Sequence, residues 1–341
     1  MEYLIYLVYI AVAFIILYRC EREKLNFNIE SEYLDRLNSL RGVFALDIII
    51  GHVAGHGMIP LMPFEKFSIV SVFGFFFLSG SGMTYSCYNK ENYLNRIFGK
   101  IIYLIAVTMI TYIVKIFVQL VSGLDLGYIP TKITDLPQKY FEITNWYIWE
   151  LIVLYIFFFL IYKGFTSKKI RTCLIVLASV VLGIVFALSG TVVAWYYSIW
   201  GFAFGVIFTE FFEKVIDFIH KWYGIIVIVS FIFAGFGGYA LLSENAVMSY
   251  ITRNFFDIAC LMILILLIEQ IRFENGIIRF LTTYSLEIYL YQSLWLDVTQ
   301  SFYHLYCLRM IVVVGLTIFT AILIRPINEK IKKLLKYKKY M

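Results

Sequence analysis

The chain has 341 residues, of which 61% are hydrophobic, 19% aromatic and only 15% charged, with a mean hydropathy of +0.82. That leaves too little polar surface to cover a water-soluble globule, so composition predicts an all-α integral membrane protein. The net charge of +6 follows a membrane-topology pattern, given below, and does not point to nucleic acid as a partner.

Residues 1–19, MEYLIYLVYIAVAFIILYR, lack the basic start and the small-residue cleavage site of a signal peptide, and read as a retained first span. Further apolar runs of spanning length lie at 40–58, 67–87, 101–121, 144–162, 172–189, 192–209, 222–242, 254–270, 281–302 and 308–324. Together they predict a polytopic bundle of about eleven transmembrane helices, with a range of 10 to 12. Loops between them are short. The longest, 122–143, carries Pro130 and Pro137.

With the N-terminus outside, every Lys and Arg falls on the inner side except Lys66, Lys132, Lys139, Arg253, Arg309 and the in-span Lys115. That bias obeys the positive-inside rule. The basic tail 326–341, PINEKIKKLLKYKKYM, is then cytoplasmic and suited to anionic lipid head groups. Lys115 is expected to snorkel to the outer head groups. Cys20, Cys87, Cys173, Cys260 and Cys307 show no metal-type or nucleophile-type spacing, so no metal site is predicted. Gly235, Gly237 and Gly238 lie inside a span and read as helix-packing positions. The whole of 1–341 is expected to form one membrane domain.

Two ionisable residues stand out within one apolar run, LNSLRGVFALDIIIGHV: Arg41 and His52. Eleven residues at about 100° each return His52 to within roughly 20° of the Arg41 face, some 16 Å further along the axis. One is expected near a membrane surface and the other near mid-depth, where an ionisable side chain is costly enough to be functional by default. His56, one turn on, reads as a wet interfacial group. Asp47 lies about 140° from His52 and is expected to pair with another helix or to reach a watery cavity, as one more candidate for lining a substrate cavity.

This run, followed by VFGFFFLSGSGM, the basic stretch YLNRIFGK, then NWYIWELIVLY and late in the chain YSLEIYLYQ, resembles the motif order of the acyltransferase 3 family over about 36–325. Arg41-Gly42 and His52 coincide with that family's Arg, Gly and His, and FFFLSG ends at Ser79 and Gly80. The basic pair is Arg96 and Lys100, spaced by four where the family has two arginines spaced by three. Gln292 stands where the family usually has His, and the span 1–20 is an addition. The resemblance implies a multi-span O-acyltransferase of the bacterial cytoplasmic membrane that moves an acyl group, commonly acetyl from acetyl-CoA, onto a surface glycan or another hydroxylated envelope acceptor.

Acyl transfer from a thioester to a hydroxyl needs a base, and an imidazole titrating near working pH suits it. His52 takes that role in this reading. The phosphates of an acyl-CoA need fixed cations, which Arg meets bidentately. Arg41, Arg96 and Lys100 are the candidates, with Ser79 and Gly80 near the thioester. Trp146, Tyr147 and Glu150, and the stripe Ser285, Tyr289 and Gln292, are candidates for lining the substrate cavity. Trp195, Tyr196 and Tyr197 at an outer end offer stacking surfaces. Two other readings use the same residues: a transporter or flippase in which Arg41 and His52 bind substrate or relay protons, and a silent assembly partner in which His52 is dispensable.

Overall fold

The structure, a computed structural model, describes residues 2–20, 30–55, 62–143, 146–189, 194–240, 246–273, 275–302 and 306–337. His56 lies outside the described residues. The helices in chain order are α1 (Glu2–Leu17), α2 (Glu30–Gly55), α3 (Met62–Asn89), α4 (Tyr93–Ser122), α5 (Leu136–Ile143), α6 (Trp146–Gly164) and α7 (Lys168–Leu188), then α8 (Ala194–Tyr197), α9 (Trp200–Glu210), α10 (Phe212–Lys221), α11 (Tyr223–Ala240), α12 (Ala246–Ile268), α13 (Gly276–Val298) and α14 (Tyr306–Tyr337). Each apolar run of the sequence coincides with a helix, the 192–209 run being divided between α8 and α9. Among the described residues, α2, α3, α4, α6, α7 and α14 are each long and apolar enough to cross a membrane. The pair α10 and α11, bent by 90°, makes a seventh if it is one span.

Helix α10 explains that bend. Phe212, Ile216 and Ile219 are buried on one side, while Glu213, Lys214, Asp217, His220 and Lys221 are exposed together with Phe218. A helix so divided between faces lies along an interface rather than through a membrane. Trp222, at φ −114° and ψ 20°, ends it before α11 begins.

The bundle is built around α2, which packs between α3 and α13, while α3 in turn packs against α9. Small residues set these approaches. A Cβ on Gly80, Gly201 or Gly205 would strike the carbonyl oxygen of Phe202, Phe73 or Phe77, so α3 and α9 meet backbone to backbone. Gly42 plays the same part between α2 and the Ile278 carbonyl of α13.

Helix α2 starts at Glu30, ten residues before the apolar run that predicted it. Arg41 therefore stands near the middle of the helix and His52 in its last turn. The cause is local: ESEYLDRLNS supplies acidic residues in the first turn, where they meet the positive end of the helix dipole. Tyr33, Arg36 and Leu37 of that segment are buried, with Arg36 donating to the Ile268 carbonyl at 3.3 Å and Tyr33 to Glu269 at 3.3 Å.

Candidate functional site

Aromatic contacts fix the relative heights of the helices. The Tyr147 ring at the start of α6 packs edge-on to Phe76 of α3 at 4.6 Å and to Tyr289 of α13 at 5.1 Å. Phe75 of α3 meets both Tyr147, at 6.3 Å, and Phe44 of α2, at 5.8 Å. Helix α6 thus begins level with Phe44. His52 lies eight residues beyond, about 12 Å further toward the Gly55 end, above the point where α6 stops covering the bundle. There His52 is exposed, although Gly51, Val53 and Ala54 on either side of it are buried.

One turn below Phe44, polar groups converge from four helices. The Ser79 hydroxyl of α3 shares hydrogen bonds with the phenols of Tyr147 and Tyr155 on α6. Arg41 lies within electrostatic reach of both phenols. Glu150, one turn after Tyr147, is within reach of Tyr147 and Tyr289. It is fully buried, and neither carboxylate oxygen has a hydrogen-bond partner. The Arg41 Nε is likewise buried without one. Unpartnered buried polar groups cost folding free energy on the order of 1–3 kcal/mol each. A cluster carrying several of them is arranged for something other than stability.

Toward the Glu30 end of α2 the cluster opens onto cations. Lys100 on α4 donates to the Tyr93 hydroxyl, with its ammonium 4.8 Å from the Tyr93 ring centroid. Arg41, Lys90 and Lys332 all lie within its electrostatic reach. Arg96, one turn before Lys100, is exposed.

The face of α2 that joins Arg41 to His52 is closed between them. Ala45, Ile48 and Ile49 are buried to 1%, 0% and 1% exposure. Arg41 and His52 stand eleven residues apart on α2, and the described side chains of that helix between them are packed rather than open.

The remaining candidates take distinct places. Asp47 is buried and accepts a hydrogen bond from Ser71 of α3 at 2.7 Å, which supplies the neighbouring-helix contact expected of it. Ser285, Tyr289 and Gln292 are buried along one stripe of α13, and Gln292 Oε1 has no partner. Trp146 is half-buried beside Tyr147, their centroids 6.5 Å apart. Gly80 faces the α9 backbone, where a side chain would not fit, while its neighbour Ser79 faces α6. Of the outer aromatics, Tyr197 is buried beneath the Arg253 guanidinium, 4.6 Å from its ring centroid.

Lys115 corrects the sequence expectation. It does not snorkel: it is 3% exposed and donates to the Ile143 carbonyl and to Ser293 Oγ, both at 3.0 Å. Its ammonium also sits 5.4 Å from the Tyr128 ring centroid. The 122–143 segment folds back over it, with Tyr128 donating to Asp297 at 2.5 Å. A long-range carbonyl acceptor leaves no trace in the pattern of the span itself, so the sequence could not reveal it.

Sequence reasoning also passed over Tyr155, Lys90, Lys332 and Glu287. Glu287 is 1% exposed and accepts from Arg325 at 3.2 Å and from Asn328 at 3.0 Å. A carboxylate within the apolar YSLEIYL run was a readable signal, of the same kind that marked Glu150. Lys90 and Lys332 carry no such signal, since lysines flank most inner helix ends.

A family model described as an acyltransferase domain, Acyl_transf_3, matches residues 34–325. No curated protein and no solved structure matches the chain.

Proposed function

The chain belongs to the acyltransferase 3 family, and on that basis we propose that it transfers an acyl group, acetyl in the simplest case, from cytoplasmic acyl-CoA to a hydroxyl of a cell-surface glycan or another envelope acceptor. The observation that carries this reading is the chain of polar groups running from the Lys100 cations through Arg41 to Ser79, Tyr147 and Glu150, with an exposed imidazole beyond it. Fixed cations suit the donor's phosphates, and the buried hydroxyls suit the polar arm that carries the thioester. In the transition state His52 takes the acceptor's hydroxyl proton, the oxygen bonds to the thioester carbon, the C–S bond breaks, and the thiolate leaves as a thiol after proton uptake. In this reading Glu150, Trp146, Ser285, Tyr289 and Gln292 line the path that the acyl arm opens between donor and base. Donor and base sit on opposite sides of Ala45, Ile48 and Ile49, so the reading requires those side chains to part as the acyl arm advances.

The same reading places about eleven spans in the cytoplasmic membrane, with the N-terminus outside and 326–341 inside. It treats 1–341 as one domain, a 36–325 core preceded by the added span 1–20. The experiment mixes purified protein in detergent with labelled acetyl-CoA and a panel of glycan acceptors, and compares His52→Ala. Loss of transfer by about 100-fold or more is expected for removal of a general base. Transfer that survives His52→Ala would remove His52 from the mechanism, and substrate movement without covalent change would favour a transporter.

A further inference from the structure

We infer that the last turns of α14, through Lys332, together with Lys90 of the α3–α4 turn, form the grip on the donor's phosphorylated nucleotide, so that the basic C-terminal helix is part of the donor site and not only a lipid anchor. This rests on the donor being a coenzyme A thioester.

Three observations converge on it. First, α14 does not end at the membrane: it continues unbroken through Pro326 to Tyr337 and packs on α2, α4 and α13. Beyond the proline, Asn328 is 1% exposed and bonded to Glu287, and Arg325 pairs with the same carboxylate at 3.2 Å and donates to the Thr283 carbonyl. Two side chains converging on one buried carboxylate hold this segment against the bundle. Lys332 therefore has a defined place in it.

Second, Lys90 is held in a tight turn. Its N–H donates to the Ser86 carbonyl at 3.0 Å, its own carbonyl accepts from Tyr93 N–H at 3.3 Å, and Asn92 takes the left-handed conformation at φ 53°. Third, Lys90, Arg41 and Lys332 all fall within electrostatic reach of Lys100. The only carboxylate paired with these four is Glu329, 3.3 Å from Lys332 and half-exposed, among the described residues. Like charges gathered at one end of the bundle repel unless a counter-charge joins them. A 3′-phosphorylated nucleoside diphosphate, with several negative charges in one compact group, has the matching chemistry.

The test compares two donors, acetyl-CoA and S-acetylpantetheine, which carries the same thioester arm without phosphates. Lys332→Ala and Lys90→Ala should each raise KM for acetyl-CoA about fivefold, the upper range for a partly exposed charge pair, with kcat unchanged. KM for S-acetylpantetheine should not move, the acetyl-CoA effect should shrink in high salt, and Lys333→Ala, on the adjacent exposed position, should match wild type. An unchanged KM for acetyl-CoA in both variants, or an equal rise for both donors, overturns the proposal. Equilibrium binding of coenzyme A to the purified full-length protein is measured alongside. No binding by wild type, or equal binding by wild type and Lys332→Ala, also overturns it. Transfer from neither donor alongside intact, Lys332-dependent coenzyme A binding would instead count against the transferase reading alone.

Discussion

At the residue scale, Glu150 combines complete burial with two carboxylate oxygens that lack donors. Among the described residues no hydrogen bond offsets its desolvation, which fits a role that arises only when substrate or a proton arrives. Glu150→Leu, close in volume, should raise the stability of the detergent-solubilised protein by about 1–3 kcal/mol. It should also lower acetyl transfer by more than tenfold. Thermal unfolding and a labelled-acetyl assay read the two effects separately, and a variant that loses both stability and activity would identify Glu150 as a structural group. Glu150 and Arg41 were legible in the sequence because ionisable residues in apolar runs are conspicuous. That both Glu150 oxygens and the Arg41 Nε lack partners was not, since hydrogen-bond satisfaction depends on atoms from distant segments.

At the element scale, α3 and α9 meet backbone to backbone at Gly80, the residue next to Ser79. Gly205→Ala would drive a methyl group into the Phe77 carbonyl. Its expected cost is about 3 kcal/mol, at the upper end of overpacking, with loss of transfer as Ser79 shifts. Measured unfolding midpoints would check this, and an unperturbed variant would mean that α9 slides freely. A second element-scale effect concerns the turn that follows α12. Burial there raises the Glu269 carboxyl to about 7, against the opposing hydrogen bond from Tyr33, and His220 lies 3.9 Å away. The folded protein then binds a proton that the unfolded chain has released between pH 4.5 and 7. Stability contributed by this group is therefore greatest below that window and falls as pH rises through it. Unfolding midpoints from pH 5 to 8 should decline in wild type and flatten in Glu269→Gln. Equal slopes in both would assign the decline to other groups.

For the whole molecule, the proposed orientation rests on the charge distribution. The end of the bundle that carries Lys90, Lys100 and Lys332 is the end that the Lys and Arg bias assigns to the cytoplasm. Single cysteines introduced at Thr131 and Lys333, in a background without the native cysteines, should label from the outside and from the inside of intact cells respectively. The reverse pattern would invert the topology and with it the side from which the donor enters.

Membrane residence, the helical class and the family were determined by the sequence alone, because hydropathy and motif spacing are local properties that need no contact to be read. The positions of the long apolar helices were equally legible, whereas α5 and α10 were not, because neither stretch carries an apolar run of spanning length. The bounds of the long helices were less so: α2 recruits ten polar residues whose helicity depends on the buried contacts of Tyr33, Arg36 and Leu37 with distant helices. Only the tertiary structure decided that α6 begins level with Phe44 and leaves His52 open, that Lys115 turns inward to a carbonyl, and that α14 brings Lys332 to Lys100. Each of these joins residues from separate helices, and such long-range pairings are set by how the helices pack rather than by any single stretch of chain.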